Sequence, residues 1–311
     1  MLKIHHAGMH TSVQDAGRSG FRQLGVSLCG ALDLPALRTA NLLVGNDQFA
    51  AGLEVTLGNF VVEFTTPGWI ALTGAGCEAT LAGKSLWTGW SFPVKPGEQL
   101  RLHQPRRGMR SYLAVSGGIV VPEVMGSRST DLKGGFGGVD GRLVRDGDNL
   151  PVGEPERIVT RSRGVKQLLW HNRVRALPGP EYTDFTPSAR QDFWRNGWQL
   201  SAQSNRMGYR LVGNSLERES NQELLSHGLI PGVVQVPPNG QPIVLMADAQ
   251  TTGGYPRIAC VIEADRYHLA QLRLGEPLHF MQCTHEEAHQ AWVEQERYFE
   301  QLARYLIQDT Y

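Results

Sequence analysis

Residues 232–246 read GVVQVPPNGQPIVLM, with an apolar run on each side of Asn239-Gly240. Asn-Gly is a preferred pair for a tight hairpin turn because both residues readily adopt positive φ angles. The stretch therefore predicts two antiparallel strands joined at this turn. Pro242 has no backbone N–H to donate, so we expect it at the start of a strand or on a sheet edge.

Strand-like segments of the same kind dominate the first half of the chain. They are NFVVEF (59–64), WIALTG (69–74), EQLRLHQ (98–104) and RSYLAVSGG (110–118). In EQLRLHQ apolar and polar side chains alternate, as expected for a strand with one buried face. The 36 glycines and 17 prolines follow no Gly-X-Y period and indicate many tight turns. These features predict a mainly β protein.

A weak internal repeat divides the chain into two halves. VKPGEQLRL (94–102) and LRLGEPLHF (272–280) both place Gly-Glu directly before an alternating strand. Two related β-domains would explain this pattern. Because residues 151–166 are polar and rich in turn formers, we predict one domain at 1–155 and a second, with a terminal helix, at 156–311.

A few helices interrupt the strands. We expect Asp33 to cap the first, with Pro35 in its first turn and Gly45 at its end, and Thr186 to cap the second, with Gly197 just past its end. The last is an amphipathic C-terminal helix that packs on a barrel or on a partner. Its predicted apolar face comprises Ala288, Trp292, Phe299, Leu302 and Leu306.

The composition is that of an ordinary folded protein, with 41% hydrophobic residues, 19% charged residues and no formal net charge. Such a chain has no long-range attraction to nucleic acid or anionic membranes, so neither is an expected partner. We find no signal peptide and no apolar run of the ~18 residues that span a membrane. The four scattered cysteines predict reduced thiols in a cytoplasmic protein. A small basic cluster is expected in a solvated loop: Arg106, Arg107 and Arg110.

Four polar, glycine-bearing stretches contain the candidate site residues. The first is SVQDAGRSG (12–20), in which Gln14, Asp15 and Arg18 lie within five positions. The Arg18 guanidinium can bind a substrate carboxylate, or it can form an internal ion pair with Asp15.

The second stretch is GSRSTDLKGGFGGVDGR (126–142), in which six of 17 residues are glycine. Glycines let backbone amides approach a ligand closely, and a long loop of this kind is often functional. The alternative is a mobile surface loop. Its candidate anion-binding residues are Ser127, Arg128, Ser129 and Thr130.

The third stretch, SNRMGYRLVG (204–213), has Arg206 and Arg210 four residues apart. On a strand both would face the same way and could bind one carboxylate or phosphate; ordinary exposed arginines are the alternative. The fourth, DAQTTGGYPRIACVIEAD (248–265), puts Asp248 at a strand end, as a general base or as a turn-stabilising aspartate. We expect its polar part to form the rim of a binding site and IACVI to anchor it in the barrel.

Standard catalytic signatures are missing from the sequence. It has no phosphate-binding Gly-x-x-x-x-Gly-Lys-Ser/Thr, no Gly-x-Gly-x-x-Gly after a strand and no Gly-x-Ser-x-Gly elbow. His285 and His289 have the spacing of zinc ligands on a helix, but no third ligand is evident. We therefore predict no metal site.

The four stretches, in this order, resemble one family. TSVQDAGRSGFRQLGVSLCGALDLPALRTANLLVGN (11–46) is similar to the amino-terminal signature of the biotin-dependent carboxyltransferase-like family, also called allophanate hydrolase subunit 2. The glycine-rich stretch 126–142 is similar to its middle loop, and stretches 204–213 and 232–265 to its carboxy-terminal signature. The resemblance implies two cyclophilin-like β-barrel domains, in agreement with the strand-rich pattern.

The resemblance also implies a reaction and partners. The implied reaction is the opening of L-5-oxoproline to L-glutamate, with hydrolysis of ATP to ADP and phosphate. The implied 5-oxoprolinase complex has two further components: a B subunit, related to allophanate hydrolase subunit 1, and an A subunit, of a lactam-utilisation family. The chain alone is expected to be inactive, and ATP is bound either here or on a partner.

Site roles follow from residue chemistry under this implied reaction. The substrate carboxylate and a phosphorylated intermediate require cations, and water activation requires a base. We predict catalytic roles for Asp15, Arg18, Arg206, Asp248 and Tyr255. We predict substrate or anion binding by Gln14, Ser127, Arg128, Ser129, Thr130, Arg210, Gln235, Gln250, Thr251 and Thr252.

Two other functions remain open within the family. One is a carboxyltransferase subunit that acts with biotin on urea or a similar amide; the chain has no carrier-lysine motif, so the biotin would be on another polypeptide. The other is a non-catalytic antagonist that binds a kinase-inhibitor subunit.

Overall fold

The computed structural model of the protein describes residues 1–220 and 223–308. Its residues form two compact units. The first unit comprises residues 1–18, 29–169 and the chain from residue 297, and the second comprises residues 19–28 and 170–296. The predicted division, a single cut between residues 155 and 156, is simpler than this grouping, in which residues 19–28 pack with the second unit.

The first unit is built from two antiparallel sheets. Its strands are β1 (Leu2–His6), β2 (His10–Gln14), β3 (Gly52–Thr56), β4 (Phe60–Phe64), β5 (Gly68–Gly76), β6 (Ala79–Leu81), β7 (Lys84–Leu86), β8 (Trp90–Val94), β9 (Gln99–Leu102), β10 (Arg107–Val115) and β11 (Asn149–Leu150). One sheet has the order β11-β1-β4-β9-β6-β7 and the other β2-β3-β10-β5-β8. In register, Leu2 lies opposite Phe64, and Tyr112 lies opposite Thr73.

Apolar side chains from both sheets form a common core in the first unit. Leu53 and Leu113 of one sheet and Phe60 and Leu100 of the other are fully buried in it. Strand β9 buries its two leucines and exposes Gln99 and the arginine between them, so the predicted alternation is confirmed. This alternation places one face of β9 in the core.

Helix α1 (Leu34–Leu43) begins where its capping residue predicts. The Asp33 carboxylate accepts the Ala36 N–H at 2.9 Å, which satisfies one of the free amides of the first turn. The Asp33 N–H in turn donates to the hydroxyl of Tyr112 on β10, at 2.8 Å. The helix start is thereby attached to the sheet.

A buried polar network continues from that hydroxyl. Tyr112 donates to the Glu54 carboxylate at 2.7 Å, and Arg110 lies 3.4 Å from the other oxygen of Glu54. Burial, together with the nearby carboxylate of Glu54, raises the pKa of Tyr112 well above its usual value. The prediction that Arg110 lies in a solvated loop is wrong, because Arg110 belongs to β10 and pairs with a buried carboxylate.

The second unit contains a closed seven-stranded barrel. The strands of this unit, in the barrel and beside it, are β12 (Arg173–Pro178), β13 (Trp198–Leu200), β14 (Gly208–Val212), β15 (His227–Gly228), β16 (Val233–Gln235), β17 (Ile243–Leu245), β18 (Thr252–Gly253), β19 (Arg257–Val261) and β20 (Pro277–Gln282). The barrel order is β12-β19-β16-β17-β14-β13-β20, and β15 pairs separately with β18. Strands β16 and β17 are the antiparallel pair predicted on either side of Asn239-Gly240.

The second unit also contains helices α2 (Pro187–Arg195) and α3 (Arg266–Ala270). The Thr186 hydroxyl accepts the Ala189 N–H at 3.2 Å, so the predicted cap of α2 is confirmed. Phe193 of α2 stacks on Phe280 of β20 with ring centroids 4.5 Å apart, and its carbonyl accepts the indole N–H of Trp198. These buried aromatic contacts fix α2 on the barrel.

The sequence repeat corresponds to a repeated turn. In the first unit the Glu98 carboxylate accepts the N–H of Lys95 at 2.9 Å, and the Glu98 N–H donates to the Lys95 carbonyl. In the second unit Glu276 makes the same two bonds with Arg273. The glycine between them has φ of 83° in one turn and 80° in the other. The same local chemistry therefore leads into β9 and into β20.

The C-terminal helix α4 (His285–Gln308) contributes residues to both units. Phe299, Leu302 and Leu306 are buried against α1 in the first unit, as predicted for the apolar face. Trp292 is 43% exposed, so its place on that face is wrong. Among the described residues no helix has the length and hydropathy required to cross a membrane.

His268 on α3 is a buried titratable group of the second unit. Its Nδ1 accepts the N–H of His171 at 3.3 Å, and its ring stacks on that of His171. Asp265, which forms an ion pair with Arg175, lies 4.0 Å from Nε2. Burial, and secondarily the charge of His171, lowers the pKa of His268 to about 3.

This pKa predicts a loss of stability in acid. Because the folded-state pKa lies below the ordinary value of about 6.5, the unfolded chain binds the proton first as pH falls from about 7 toward 3. His268 should therefore destabilise the fold by about 2 kcal/mol between pH 7 and pH 5. His268→Asn, which keeps an acceptor near Nδ1, should remove this part of the pH dependence in urea denaturation. The exposed His289→Asn is the control, and identical pH profiles for wild type and His268→Asn would contradict the account.

Candidate functional site

The Asp15 carboxylate organises the candidate site of the first unit. It accepts the hydroxyls of Ser127 and Ser129 at 2.6 and 2.5 Å and the N–H groups of Arg128 and Gly17 at 2.5 and 2.8 Å. Three of these donors reach Oδ1, and the Arg128 N–H reaches Oδ2. The arrangement suits a positioning role for Asp15, since the carboxylate holds the four donors of these two segments together.

Arg18 is fully buried and does not form the ion pair with Asp15 that the sequence left open. Its Nη2 donates to the Ser129 carbonyl at 2.5 Å, its Nε lies 3.4 Å from the Val124 carbonyl, and its guanidinium lies over the Phe136 ring. Within residues 1–220 and 223–308, Nη1 has no hydrogen-bond partner and no carboxylate pairs with this arginine. Among the described residues, its positive charge is therefore compensated by carbonyl dipoles and an aromatic face.

The glycine-rich loop 126–142 is tightly packed, which argues against the mobile-loop alternative. A Cβ atom at Gly137 would lie 2.2 Å from the Ser129 carbonyl oxygen, and one at Gly138 would lie 2.0 Å from the Thr130 hydroxyl. Thr130 is buried, and its N–H and hydroxyl both donate to the carbonyl of Val13 on β2. The glycines are thus required because the loop folds back on its own backbone.

Gln14 and Arg128 complete this cluster in different ways. Gln14 is buried; its amide nitrogen donates to the Ser12 hydroxyl, while its Oε1 has no partner among the described residues. Arg128 uses its backbone N–H for Asp15, and its guanidinium donates to the Val121 carbonyl and lies 3.5 Å from Glu123. The structure thus brings together all the site residues predicted from stretches 12–20 and 126–142.

Arg206 and Asp248 form a buried bidentate ion pair in the second unit. Nε and Nη2 of Arg206 donate to the two carboxylate oxygens, each at 2.9 Å. The Asp248 N–H donates back to the Arg206 carbonyl. The prediction that Arg206 and Arg210 face the same way is wrong, because β14 begins only at Gly208: Arg206 is buried before the strand and Arg210 is exposed within it.

The segment after Asp248 is fixed by hydrogen bonds. The Ser27 hydroxyl donates to the carbonyls of Asp248 and Ala249, at 3.3 and 3.1 Å. The Thr251 carbonyl accepts the N–H of Leu229, and Thr252 belongs to β18. Gln250 between them is half-buried. We name residues 248–252 the DAQTT rim.

A pocket of about 620 Å³ lies in the second unit, and Tyr255 is the one predicted site residue that lines it. The Tyr255 carbonyl accepts the amide of buried Gln235 at 3.2 Å, and its side chain is 46% exposed. The charged lining residues Glu217, Arg218 and Glu223 were not predicted. They belong to a segment without a recognisable motif, so only the folded chain reveals them. The remaining lining residues are Ser215, Leu216, Leu224, Val236, Pro237, Pro238, Gly254 and Pro256.

Metal coordination was not predicted. In the described part of the chain no group of three His, Cys, Asp or Glu side chains is placed to hold a metal ion.

Comparisons with known proteins extend these observations. The family model described as the carboxyltransferase domain, subdomain A and B, matches residues 24–282. The chain is 67% identical over 303 residues to the 5-oxoprolinase C subunit of Escherichia coli (strain K12), covering 97% of this chain and 98% of the relative. It is 41% identical over 304 residues to the Haemophilus influenzae protein of that name, covering 98% of each chain.

A solved structure shares the architecture. The crystal structure of the K. lactis urea amidolyase matches with a TM-score of 0.90 and 27% sequence identity. The match covers 97% of this chain and 20% of that much longer chain.

The Arg206–Asp248 pair predicts a specific pattern of stability changes. Asp248→Asn should destabilise the fold by about 3 kcal/mol, because it removes the carboxylate that pairs bidentately with a buried guanidinium. Arg206→Met combined with Asp248→Asn should cost less than the sum of the single changes. Denaturant unfolding of the two single variants and the double variant gives this coupling, and additive effects would contradict a paired role.

Proposed function

Because the chain belongs to the carboxyltransferase family with subdomains A and B, we propose that it is a subunit of an ATP-dependent 5-oxoprolinase. The complex opens L-5-oxoproline with ATP and two waters to give L-glutamate, ADP and phosphate. The observation that carries this proposal is the 67% identity to the E. coli 5-oxoprolinase C subunit over almost the full length of both chains.

The chemistry explains the use of ATP. A five-membered lactam is a weakly electrophilic amide, and water attacks it slowly. Transfer of the γ-phosphoryl group to the lactam carbonyl oxygen creates a leaving group and an electrophilic ring carbon. Water then adds to that carbon, and the tetrahedral intermediate collapses by breaking the ring C–N bond, which releases the protonated amine and leaves an acyl phosphate. The second water hydrolyses the acyl phosphate to the carboxylate and free phosphate.

Arg18 is the main candidate for stabilising negative charge in this sequence of steps. Its charge has no carboxylate partner within the described ranges, so an anion near loop 126–142 would gain electrostatic stabilisation in a low-dielectric environment. Asp15, Ser127 and Ser129 position the loop around it, and Gln14 offers a buried acceptor. We assign catalytic support to Arg18 and a positioning role to Asp15.

The second unit offers a place for the ring. The pocket beside Tyr255 has a size in the range of small-molecule sites, and the face of a tyrosine ring suits a flat lactam. Gln235 holds the backbone of Tyr255, whereas Gln250, Thr251 and Thr252 of the DAQTT rim are not among the residues that line this pocket. Arg206 and Asp248 hold one another, which supports a positioning role for both, and exposed Arg210 is left to bind an anion at the surface.

The assembled enzyme has two further components in this proposal. One is the B subunit, related to allophanate hydrolase subunit 1, and the other is the A subunit, of the lactam-utilisation family. ATP is consumed by the complex and bound by this chain or by a partner subunit. We propose a cytoplasmic location for the complex.

The K. lactis urea amidolyase structure favours a second candidate, a carboxyltransferase subunit that acts on urea or a similar amide. In that reaction carboxybiotin on a separate carrier polypeptide would donate the carboxyl group. Co-purification with a biotinylated protein would support it.

The proposed function is tested by omission. Glutamate release from 5-oxoproline and ATP is measured with the two partner subunits, with and without this chain. Turnover should depend on the chain and on ATP together, and equal turnover without the chain would overturn the proposal in favour of the carboxyltransferase candidate.

Replacement of Arg18 should reduce turnover of the complete complex. Arg18→Gln removes the charge and should lower kcat by at least tenfold, whereas Arg18→Lys, which keeps the charge, should retain more activity. Exposed Arg101→Gln on β9 is the matched control. Complex assembly is checked by gel filtration, and an assembled Arg18→Gln complex with normal kcat would remove Arg18 from the machinery.

A further inference from the structure

Arg22 is a charged residue of the second unit that the mechanism above does not use. It begins the short 3₁₀ turn Arg22–Leu24 in segment 19–28. Its Nη2 donates to the Leu229 carbonyl. Its Nη1 is shielded from solvent and has no partner in the ranges that the structure describes, where no carboxylate pairs with Arg22 either.

The environment of Arg22 is energetically unfavourable for its positive charge. Burial lowers the pKa of its guanidinium, and an arginine in a protein keeps its positive charge at neutral pH. A half-buried guanidinium that donates a hydrogen bond to one carbonyl is less well solvated than it would be in water. An oxyanion beside it would restore that lost stabilisation, and turning Nη1 toward a ligand breaks no hydrogen bond.

Hydrogen bonds place Arg22 beside the DAQTT rim. Leu229, which accepts from Arg22, donates its N–H to the carbonyl of Thr251 at 2.8 Å. Ser27, five residues after Arg22, donates to the carbonyls of Asp248 and Ala249. Arg206, which pairs with the first residue of the rim, already donates two hydrogen bonds to the Asp248 carboxylate. Within the described ranges, Arg22 is therefore the cation at this rim without a carboxylate.

We propose that Arg22 binds the oxyanion of a small-molecule ligand, a carboxylate or a phosphate, at the DAQTT rim, with the hydroxyls of Thr251 and Thr252 as further donors. The identity of the ligand rests on the proposed function, in which the oxyanion is the carboxylate of 5-oxoproline or a phosphate group of ATP. A planar guanidinium binds either group through two parallel hydrogen bonds.

The test measures ligand binding by titration calorimetry, for the full chain alone and in the assembled complex. The probes are inorganic phosphate, ATP, 5-oxoproline and 2-pyrrolidinone, a neutral lactam without the carboxylate. Wild type should bind 5-oxoproline or the phosphate probes, and should bind 2-pyrrolidinone at least tenfold more weakly. The anion that binds identifies the source of the oxyanion.

Variants attribute the binding to Arg22. Arg22→Gln should weaken binding at least tenfold, Arg22→Lys should weaken it less, and exposed Arg173→Gln should leave it unchanged. If Arg22→Gln does not fold, Arg22→Lys and Thr251→Val serve instead. Each should weaken binding of the anionic probe and leave binding of the neutral 2-pyrrolidinone unchanged. Unchanged affinity in these variants, or no anion binding by wild type in either form, would overturn the proposal. These binding results are independent of glutamate release, so failure of the proposed function is recognised separately.

Discussion

The Asp15 carboxylate is the contact on which the first candidate site depends. Four donors converge on it, and three of them come from residues 127–129 of the glycine-rich loop. The loop is thereby tied to the end of β2, and Arg18 is enclosed between the Ser129 carbonyl and the Phe136 ring. A buried carboxylate tolerates this position because hydrogen bonds replace the water that it loses.

Charges in this protein divide into two classes with different consequences. Arg206 with Asp248 and Arg110 with Glu54 are paired inside the fold, and such pairs fix side chains and backbone more than they add net stability. Arg18 is buried without a carboxylate partner in the part of the chain that is described. A charge of this second kind is costly in the isolated chain and favourable once an anion arrives, which is the property a binding residue requires.

Local secondary-structure features were predictable from the sequence, whereas the contacts between residues distant in the chain were not. The antiparallel strand pair on either side of Asn239-Gly240, the cap of α1 at Asp33 and the alternation of β9 each depend on a few neighbouring residues. Asp15 and Ser127 are 112 positions apart, and no local pattern reveals that they meet. The same reason explains why Arg110 was wrongly expected in solvent, since its carboxylate partner lies on another strand.

The candidate site shows the same limit. The sequence predicted which polar stretches contain candidate residues, but it did not predict the contacts that each side chain makes. It predicted Arg18 and Asp15 as an ion pair or as separate catalytic groups. In the folded chain the Asp15 carboxylate instead accepts hydrogen bonds from two serines, and among the described residues no carboxylate pairs with Arg18. The pocket residues around Arg218 had no motif at all, because a pocket is formed by the packing of distant segments.

Amide hydrogen exchange of the loop 126–142 in wild type and Asp15→Asn tests the central claim most directly. In wild type the Arg128 N–H is buried against the carboxylate and should exchange slowly. The neutral amide of Asp15→Asn offers one acceptor oxygen and brings its own donors toward the two serines. The account predicts exchange in loop 126–142 at least tenfold faster in the variant, with unchanged protection in the barrel strands of the second unit. Equal protection of the loop in both proteins would show that Asp15 does not hold it.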